Sequence, residues 1–255
     1  MSIGIIVIPT YNEIENIEVI LEKVFSLNLD VDILVVDDNS PDKTHVKVQE
    51  LIDSNLYKEQ LHLVIRQNKE GLGKAYIEGF KWCLKREYPF IIEMDADLSH
   101  DPKYLSSFIE NIKENDLVIG SRYVKGGGVV NWSLLRKFIS FGGSTYARTI
   151  LGISIKDVTG GFKCFRREVL ETIDLDTIIS AGYAFQIEMN FRTIINGFKV
   201  KEVPIVFEDR VAGKSKMSKK IFIEALLNVV TLRMHKAEFI KVSATQKTGD
   251  SKGTR

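Results

Sequence analysis

Phe90-Ile91-Ile92-Glu93-Met94-Asp95-Ala96-Asp97-Leu98-Ser99-His100 is an apolar run that breaks into two carboxylates one residue apart. Phe90 to Met94 has the length and residue types of a buried strand, and the polar residues after it have those of a loop. The pattern recurs on both sides. Ile3 to Ile8 is a β-branched run ending at Pro9, Val31 to Val36 ends at Asp37-Asp38, and Leu61 to Ile65 and Leu117 to Ile119 repeat it. Helical spacing fills the gaps near Glu15 to Phe25, Thr44 to Ile52, Ala75 to Leu84 and Tyr104 to Ile112. Strands that are apolar along their whole length are covered on both faces, and strand–helix alternation implies a parallel sheet. The expected fold class is α/β and Rossmann-like, a mostly parallel sheet flanked by helices.

In open parallel sheets, ligands bind beyond the carboxyl ends of the strands. Four polar segments follow strands here: Pro9-Thr10-Tyr11-Asn12-Glu13, Asp37-Asp38-Asn39-Ser40-Pro41-Asp42, Asp95 to His100, and Gly120-Ser121-Arg122-Tyr123. They are expected to meet on one edge of the sheet.

The second half is less regular. Gly126-Gly127-Gly128 suggests a flexible loop. Helical patterns follow from Trp132 to about Leu151 and from Ala184 to Ile195, with a strand from Val200 to Phe207 and a basic segment from Arg210 to Lys220. The richest apolar stretch, Ile221 to Leu232, forms about 18 Å of helix, short of the ~30 Å hydrocarbon core of a bilayer. Its polar residues Glu224, Asn228, Thr231 and His235 make one narrow stripe, so it reads as an amphipathic helix for the body of the protein, a membrane surface or a partner helix.

Charge is unevenly spread. From Arg210 onward there are eleven Lys or Arg against three acids, a balance of +8 that leaves −7 for the first 209 residues. The C-terminal part is therefore expected to meet something anionic. Residues 241–255 lack periodicity and read as a disordered basic tail. Cys83 and Cys164 fit no metal spacing, and with no signal peptide they point to a reducing cytoplasm.

Asp95 and Asp97 can hold a hard divalent cation and orient its bound diphosphate, since Mg²⁺ needs only one or two carboxylates beside phosphate oxygens. Asp97 or Ser99 ahead of Pro102 also reads as a helix cap. An acid after the second strand commonly accepts from ribose hydroxyls or a base edge, which suits Asp38, while Asp42 suits a cap. Tyr11 can pack on a nucleoside. Arg122, Arg136, Arg210, Lys214 and Lys216 are candidate phosphate contacts. Gly71-Leu72-Gly73 and Gly213-Lys214-Ser215 match neither a dinucleotide fingerprint nor a P-loop, which disfavours an oxidoreductase.

Together these segments resemble the family 2 glycosyltransferases with the GT-A fold. Asp157-Val158-Thr159-Gly160-Gly161-Phe162, Gly182-Tyr183-Ala184-Phe185-Gln186-Ile187-Glu188-Met189, Asp209-Arg210 and Gly213-Lys214-Ser215-Lys216 narrow the resemblance to polyprenyl-phosphate (dolichyl-phosphate) mannose synthases. The resemblance covers roughly residues 3–232 and implies a transferase domain over 1–235, with a nucleotide-binding half to about 122 and an acceptor half from about 123. It implies that Pro9, Tyr11, Glu13, Val36 and Asp38 contact the nucleoside of GDP-mannose. Asp95, Ala96 and Asp97 would lie at the diphosphate, with Asp97, and in some members the position of Ser99, binding Mg²⁺ or Mn²⁺. Arg122, Arg210 and Lys216 would hold diphosphate or sugar, with Arg122 and Arg136 at the phosphate of the dolichyl or polyprenyl acceptor. The chain looks like the short form without transmembrane helices. That form implies a peripheral protein on the cytoplasmic face of a membrane (endoplasmic reticulum in a eukaryote, plasma membrane in a prokaryote). It would rely on small membrane subunits or an interfacial helix, with no nucleic-acid partner.

A lipid phosphate is largely ionised at pH 7, so it needs no general base, and His100 is expected to be structural. Attack with inversion would then rest on positioning and on charge stabilisation of the departing diphosphate. Two other readings stand beside this one: a polyprenyl-phosphate glucosyltransferase using UDP-glucose, and a non-catalytic scaffold that docks membrane partners.

Overall fold

The computed structural model describes residues 2–180, 182–208 and 219–241. Arg210, Lys214 and Lys216 lie outside them, as does the tail from 242 on.

The elements run β1 (Gly4–Thr10), α1 (Ile17–Phe25), β2 (Val31–Asp37), α2 (Thr44–Asp53), β3 (Leu61–Ile65), α3 (Leu72–Leu84), β4 (Phe90–Glu93), α4 (Leu105–Ile112), β5 (Leu117–Ser121), β6 (Gly128–Val130), α5 (Leu134–Leu151), β7 (Lys163–Arg166), α6 (Arg167–Thr172), α7 (Gly182–Ile195), β8 (Val200–Pro204), β9 (Val206–Glu208) and α8 (Lys219–Met234). Seven strands form one sheet in the order β3-β2-β1-β4-β7-β5-β8. All neighbours are parallel except β7, which runs antiparallel between β4 and β5.

The apolar runs become central strands because both faces are covered. Ile6, Ile8, Ile33 and Val35 pack with α1, α2 and α4 on one side. Ile5, Val7, Leu34 and Val36 pack with α3 and the second half of the chain on the other. Gly79 lets α3 lie close on the sheet, since a methyl group there would stand 2.4 Å from Val7 Cγ1. The switch in strand order falls at β1, between β2 and β4, which opens a crevice at their carboxyl ends.

Lys163–Arg166, for which no element was expected, is a central strand. Two expectations are corrected. The loop expected over Gly126-Gly127-Gly128 ends at Gly127, and Gly128 opens β6, which pairs in parallel with β9. The single strand expected over Val200 to Phe207 is two strands in two different sheets. Pro204 has no N–H to continue a ladder, and it ends β8 on the sheet's edge, where proline is tolerated. The C-terminal helix exists, but its apolar arc is only partly taken up by the body. Val229 and Leu232 are buried, whereas Leu227 and Met234 are 64% and 77% exposed.

Candidate active site

The loops after β1, β2, β4 and β5 line one cavity of about 420 Å³. Pro9, Tyr11, Glu13, Asp38, Asp95, Ala96, Asp97, Ser99, Arg122 and Arg136 all border it. Val36 does not: it is fully buried in the core beside Gly79.

Asp37 builds one end of the cavity without lining it. Its carboxylate accepts from Thr10 Oγ1 (2.7 Å), Ser40 Oγ (2.7 Å) and Ser40 N (2.8 Å), tying the first two loops together. Asp42 Oδ1 accepts from Thr44 N, the first residue of α2, at 3.0 Å, although the capping position itself is Lys43. Asn12 and Asn39 take left-handed backbone at φ 60° and 52°, which asparagine tolerates. Asp38 accepts from Arg66 Nη1 at 2.5 Å, and Arg66 Nη2 also binds Glu70. Burial, joined by the neighbouring Asp37 carboxylate, raises the Asp38 carboxyl above its ordinary value despite Arg66. The Lys69 ammonium stands 3.5 Å over the Tyr11 ring. Arg66 and Lys69 carried no sequence signal, because β3 and the loop after it look like ordinary charged surface.

The acid pair is held from several sides. The Tyr76 hydroxyl donates to Asp95 Oδ1 at 2.9 Å. Asp95 N donates to His100 Nδ1 at 3.0 Å, and the His100 ring stacks on Phe162 at 4.9 Å. His100 thus holds the Asp95 backbone in place while also lining the cavity. Asp97 Oδ1 accepts from Ser99 N (3.1 Å) and Ser99 Oγ (2.6 Å). Leu98 between them adopts φ 64°, a strained conformation for a bulky residue that bends the loop back. Among the described residues no cluster of three His, Cys, Asp or Glu surrounds a point. Two cavity-lining carboxylates, with Asp95 about a third exposed, still fit Mg²⁺ or Mn²⁺, whose remaining ligands would be diphosphate oxygens and water.

Arg122 is anchored rather than swinging. Its Nε and Nη2 grip the Asp157 carboxylate at 2.7 and 2.6 Å, and Nη2 also donates to Thr159 Oγ1 at 2.8 Å. Burial alone would raise the Asp157 carboxyl, but the guanidinium outweighs it and holds the group below the usual carboxylate range. Glu202 in turn accepts from Asp157 N at 2.9 Å. Arg136 lies on the first turn of α5, which Ser133 caps, with its guanidinium 4.1 Å over the Trp132 ring.

The cavity has a second, apolar end. Ile139, Tyr146 and Ala147 of α5, Ile187 of α7, and Leu226 and Val229 of α8 line it. Outside it, α5 exposes Leu134, Leu135, Phe138 and Phe141 at 84, 69, 77 and 56%. Their spacing puts them on one helix face.

A loop-borne acid pair at the switch point of a mostly parallel sheet, with one antiparallel strand inserted, defines a glycosyltransferase of the GT-A fold. The chain belongs to glycosyl transferase family 2, whose family model matches residues 5–174. It is 46% identical over 224 residues to the undecaprenyl-phosphate mannosyltransferase of Micrococcus luteus, covering 88% of this chain and 90% of that one. It is 47% identical over 226 residues to the polyprenol monophosphomannose synthase of Mycolicibacterium smegmatis, covering 88% and 84%. Among solved structures it shares its fold with the mannosyltransferase PcManGT from Pyrobaculum calidifontis, described in complex with GDP-Man and Mn²⁺. That match has a TM-score of 0.56 and 15% identity, over 93% of this chain and 72% of the other.

Proposed function

We propose that the protein transfers mannose from GDP-mannose to a polyprenyl phosphate at a membrane surface, with inversion at the anomeric carbon. The observation that carries the lipid acceptor is the cavity itself, which joins an acid pair to an apolar end between α5 and α8. The names of the two relatives support the sugar and the lipid class.

The first two loops would hold the nucleoside, with Tyr11 and Lys69 on one face and Asp38 on hydroxyl or base N–H groups. Asp97, with Asp95 beside it, would hold the divalent cation, which supplies charge neutralisation for the departing diphosphate. Arg122, fixed by Asp157, presents its positive charge without reorganising during the reaction. Arg136 faces the cavity from α5, where the acceptor phosphate would enter. An ionised phosphate oxygen attacks the anomeric carbon from the face opposite the leaving group, so no side chain has to remove a proton.

Among the described residues no helix is long and apolar enough to cross a membrane. The exposed row of α5, with Leu227, Val230 and Met234 of α8, is the surface that would lie in the lipid interface. Arg136 and Lys137 stand among these residues, where anionic headgroups would meet them. The protein would then work peripherally, on the cytoplasmic face, where the nucleotide sugar is found.

The test is transfer of label from GDP-mannose, with UDP-glucose in parallel, into detergent-dispersed polyprenyl phosphate with and without Mg²⁺ or Mn²⁺. Cation-dependent mannosyl lipid is the expected product. Label from UDP-glucose alone would replace the sugar, and label from neither would sink the proposal.

A further inference from the structure

Gln186 of α7 stands where the two ends of the cavity meet. It is 3% exposed yet lines the cavity. On one side lies Gly161, where an added methyl would stand 3.3 Å from Gln186 Nε2 and 3.5 Å from His100 Cε1. On the other, Ile187, next in the chain, packs in the same core as Ala147 and Val229 of the apolar end.

The direction of the Gln186 amide is fixed by chemistry. Its Oε1 accepts from the Lys163 ammonium, which also donates to the Gln186 main-chain oxygen at 3.1 Å. An ammonium has only donors, so it can face only the oxygen of an amide. The amide NH₂ therefore turns away from Lys163, with one N–H on the side of the Glu93 carboxylate and the other toward Gly161.

Lys163 is fully buried in the middle of the sheet, in register with Glu93 on β4, which is also fully buried. Neither Glu93 oxygen meets a partner at full hydrogen-bond geometry, although the Lys163 ammonium and the Gln186 amide both favour its charged form. Burial pushes the Glu93 carboxyl up to about 7, with Lys163 offsetting part of the rise, and burial lowers Lys163 to about 8. Such a pair costs stability relative to apolar residues of similar size. The next residues of the strand, Cys164 and Phe165, are apolar and buried, so the sheet itself does not require an ammonium.

We propose that Gln186 Nε2 donates a hydrogen bond to the acceptor phosphate as it attacks, and that Lys163 is the positioning residue that points the amide there. This rests on the reading of the protein as a polyprenyl-phosphate sugar transferase. A side chain that offers only N–H suits a nucleophile that is already an anion, whereas a hydroxyl acceptor would need a base at this place. In the step, a bond forms between a phosphate oxygen and the anomeric carbon. The bond from that carbon to the donor diphosphate breaks, and its electron pair leaves with the nucleoside diphosphate. Gln186 neither takes nor gives up a proton.

The experiment varies polyprenyl phosphate and GDP-mannose separately in initial-rate assays of the full chain. Donor binding is measured by calorimetry with Mn²⁺ and no lipid. Gln186→Met keeps the bulk of the side chain, and Lys163→Met removes only the ammonium. Both are expected to lower kcat/KM for polyprenyl phosphate about ten- to hundredfold, with the donor Kd unchanged. Gln186→Glu, which sets an anion against the phosphate, should lose more than Gln186→Met. Should Lys163→Met fail to fold, Lys163→Met with Glu93→Gln takes its place. A weakened donor Kd with an unchanged lipid-phosphate KM would overturn the proposal by assigning Gln186 to the sugar. Equal loss on both substrates with a lower Tm would overturn it by making the pair structural, and so would a fully active Gln186→Glu. Wild-type protein that moves no sugar to polyprenyl phosphate would instead defeat the parent reading, a failure visible before any variant is made.

Discussion

The Tyr76 hydroxyl reaches Asp95 Oδ1 at 2.9 Å from a ring that is wholly buried and lies parallel to Phe185. Burial first, and then the negative charge of Asp95, keep this phenol protonated far above its ordinary range, so it always donates. The helix that packs on the sheet thus also holds one carboxylate of the acid pair.

Tyr76→Phe keeps the ring and removes the bond. A hydrogen bond to a charged group contributes about 1.5–3 kcal/mol, so kcat/KM is expected to fall about ten- to hundredfold. Steady-state rates at varied Mn²⁺ would show it, with a weaker apparent metal affinity beside a modestly lower Tm. Unaltered kinetics would mean that Asp95 does not depend on Tyr76.

Arg122→Met leaves the Asp157 carboxylate buried opposite an apolar side chain. Breaking a buried pair in this way costs about 3–5 kcal/mol, readable as a lower midpoint in urea. The sign with pH follows from the depressed Asp157 carboxyl. The wild-type pair stabilises the fold above the ordinary carboxylate range and loses that contribution as pH falls through and below it. The difference between wild type and Arg122→Met should therefore be full near neutral pH and shrink in acid.

Leu134 and Phe138 touch little of the protein, so Leu134→Ser with Phe138→Ser should leave Tm within about 1–2 °C, the range of neutral surface changes. Burial of each in lipid would contribute about 1.5–3 kcal/mol. Co-sedimentation with anionic vesicles should then drop at least about tenfold. Vesicle binding that survives the double substitution would move the docking face elsewhere.

Asp97→Asn and chelation by EDTA should each abolish sugar transfer, and only the chelated wild type should recover on adding Mg²⁺ or Mn²⁺. Ser99→Ala removes the 2.6 Å bond to Asp97 but no charge. A loss of about ten- to hundredfold is expected, since a hydrogen bond to a charged group contributes about 1.5–3 kcal/mol. A loss as large as that of Asp97→Asn would make Ser99 a metal ligand in its own right.

Much of this arrangement was legible in the sequence. Apolar runs at Ile3, Val31, Leu61, Phe90 and Leu117 announce strands buried on both faces, and the polar residues after them mark the cavity edge. The pairing of Arg122 with Asp157 was not visible, because 35 residues separate them and only the return of the chain through β7 brings them together. Tyr76 was hidden by its setting, a tyrosine in an amphipathic helix whose spacing says only that it faces inward. Strand β7 itself was missed because Lys-Cys-Phe-Arg is short and charged at both ends. Its first lysine is buried beside Glu93 on the neighbouring strand and donates to Gln186. Arg210 and Lys216 remain proposals from resemblance alone.

The antiparallel strand β7 also sets the order in which the protein can be made. The ribosome finishes β4 and β5 some forty residues before Lys163 emerges, and until then both strands present unpaired edges. Open edges of this kind invite pairing with other chains. A nascent chain halted in α5 is therefore an aggregation hazard, and the first 122 residues are not expected to fold as an independent unit.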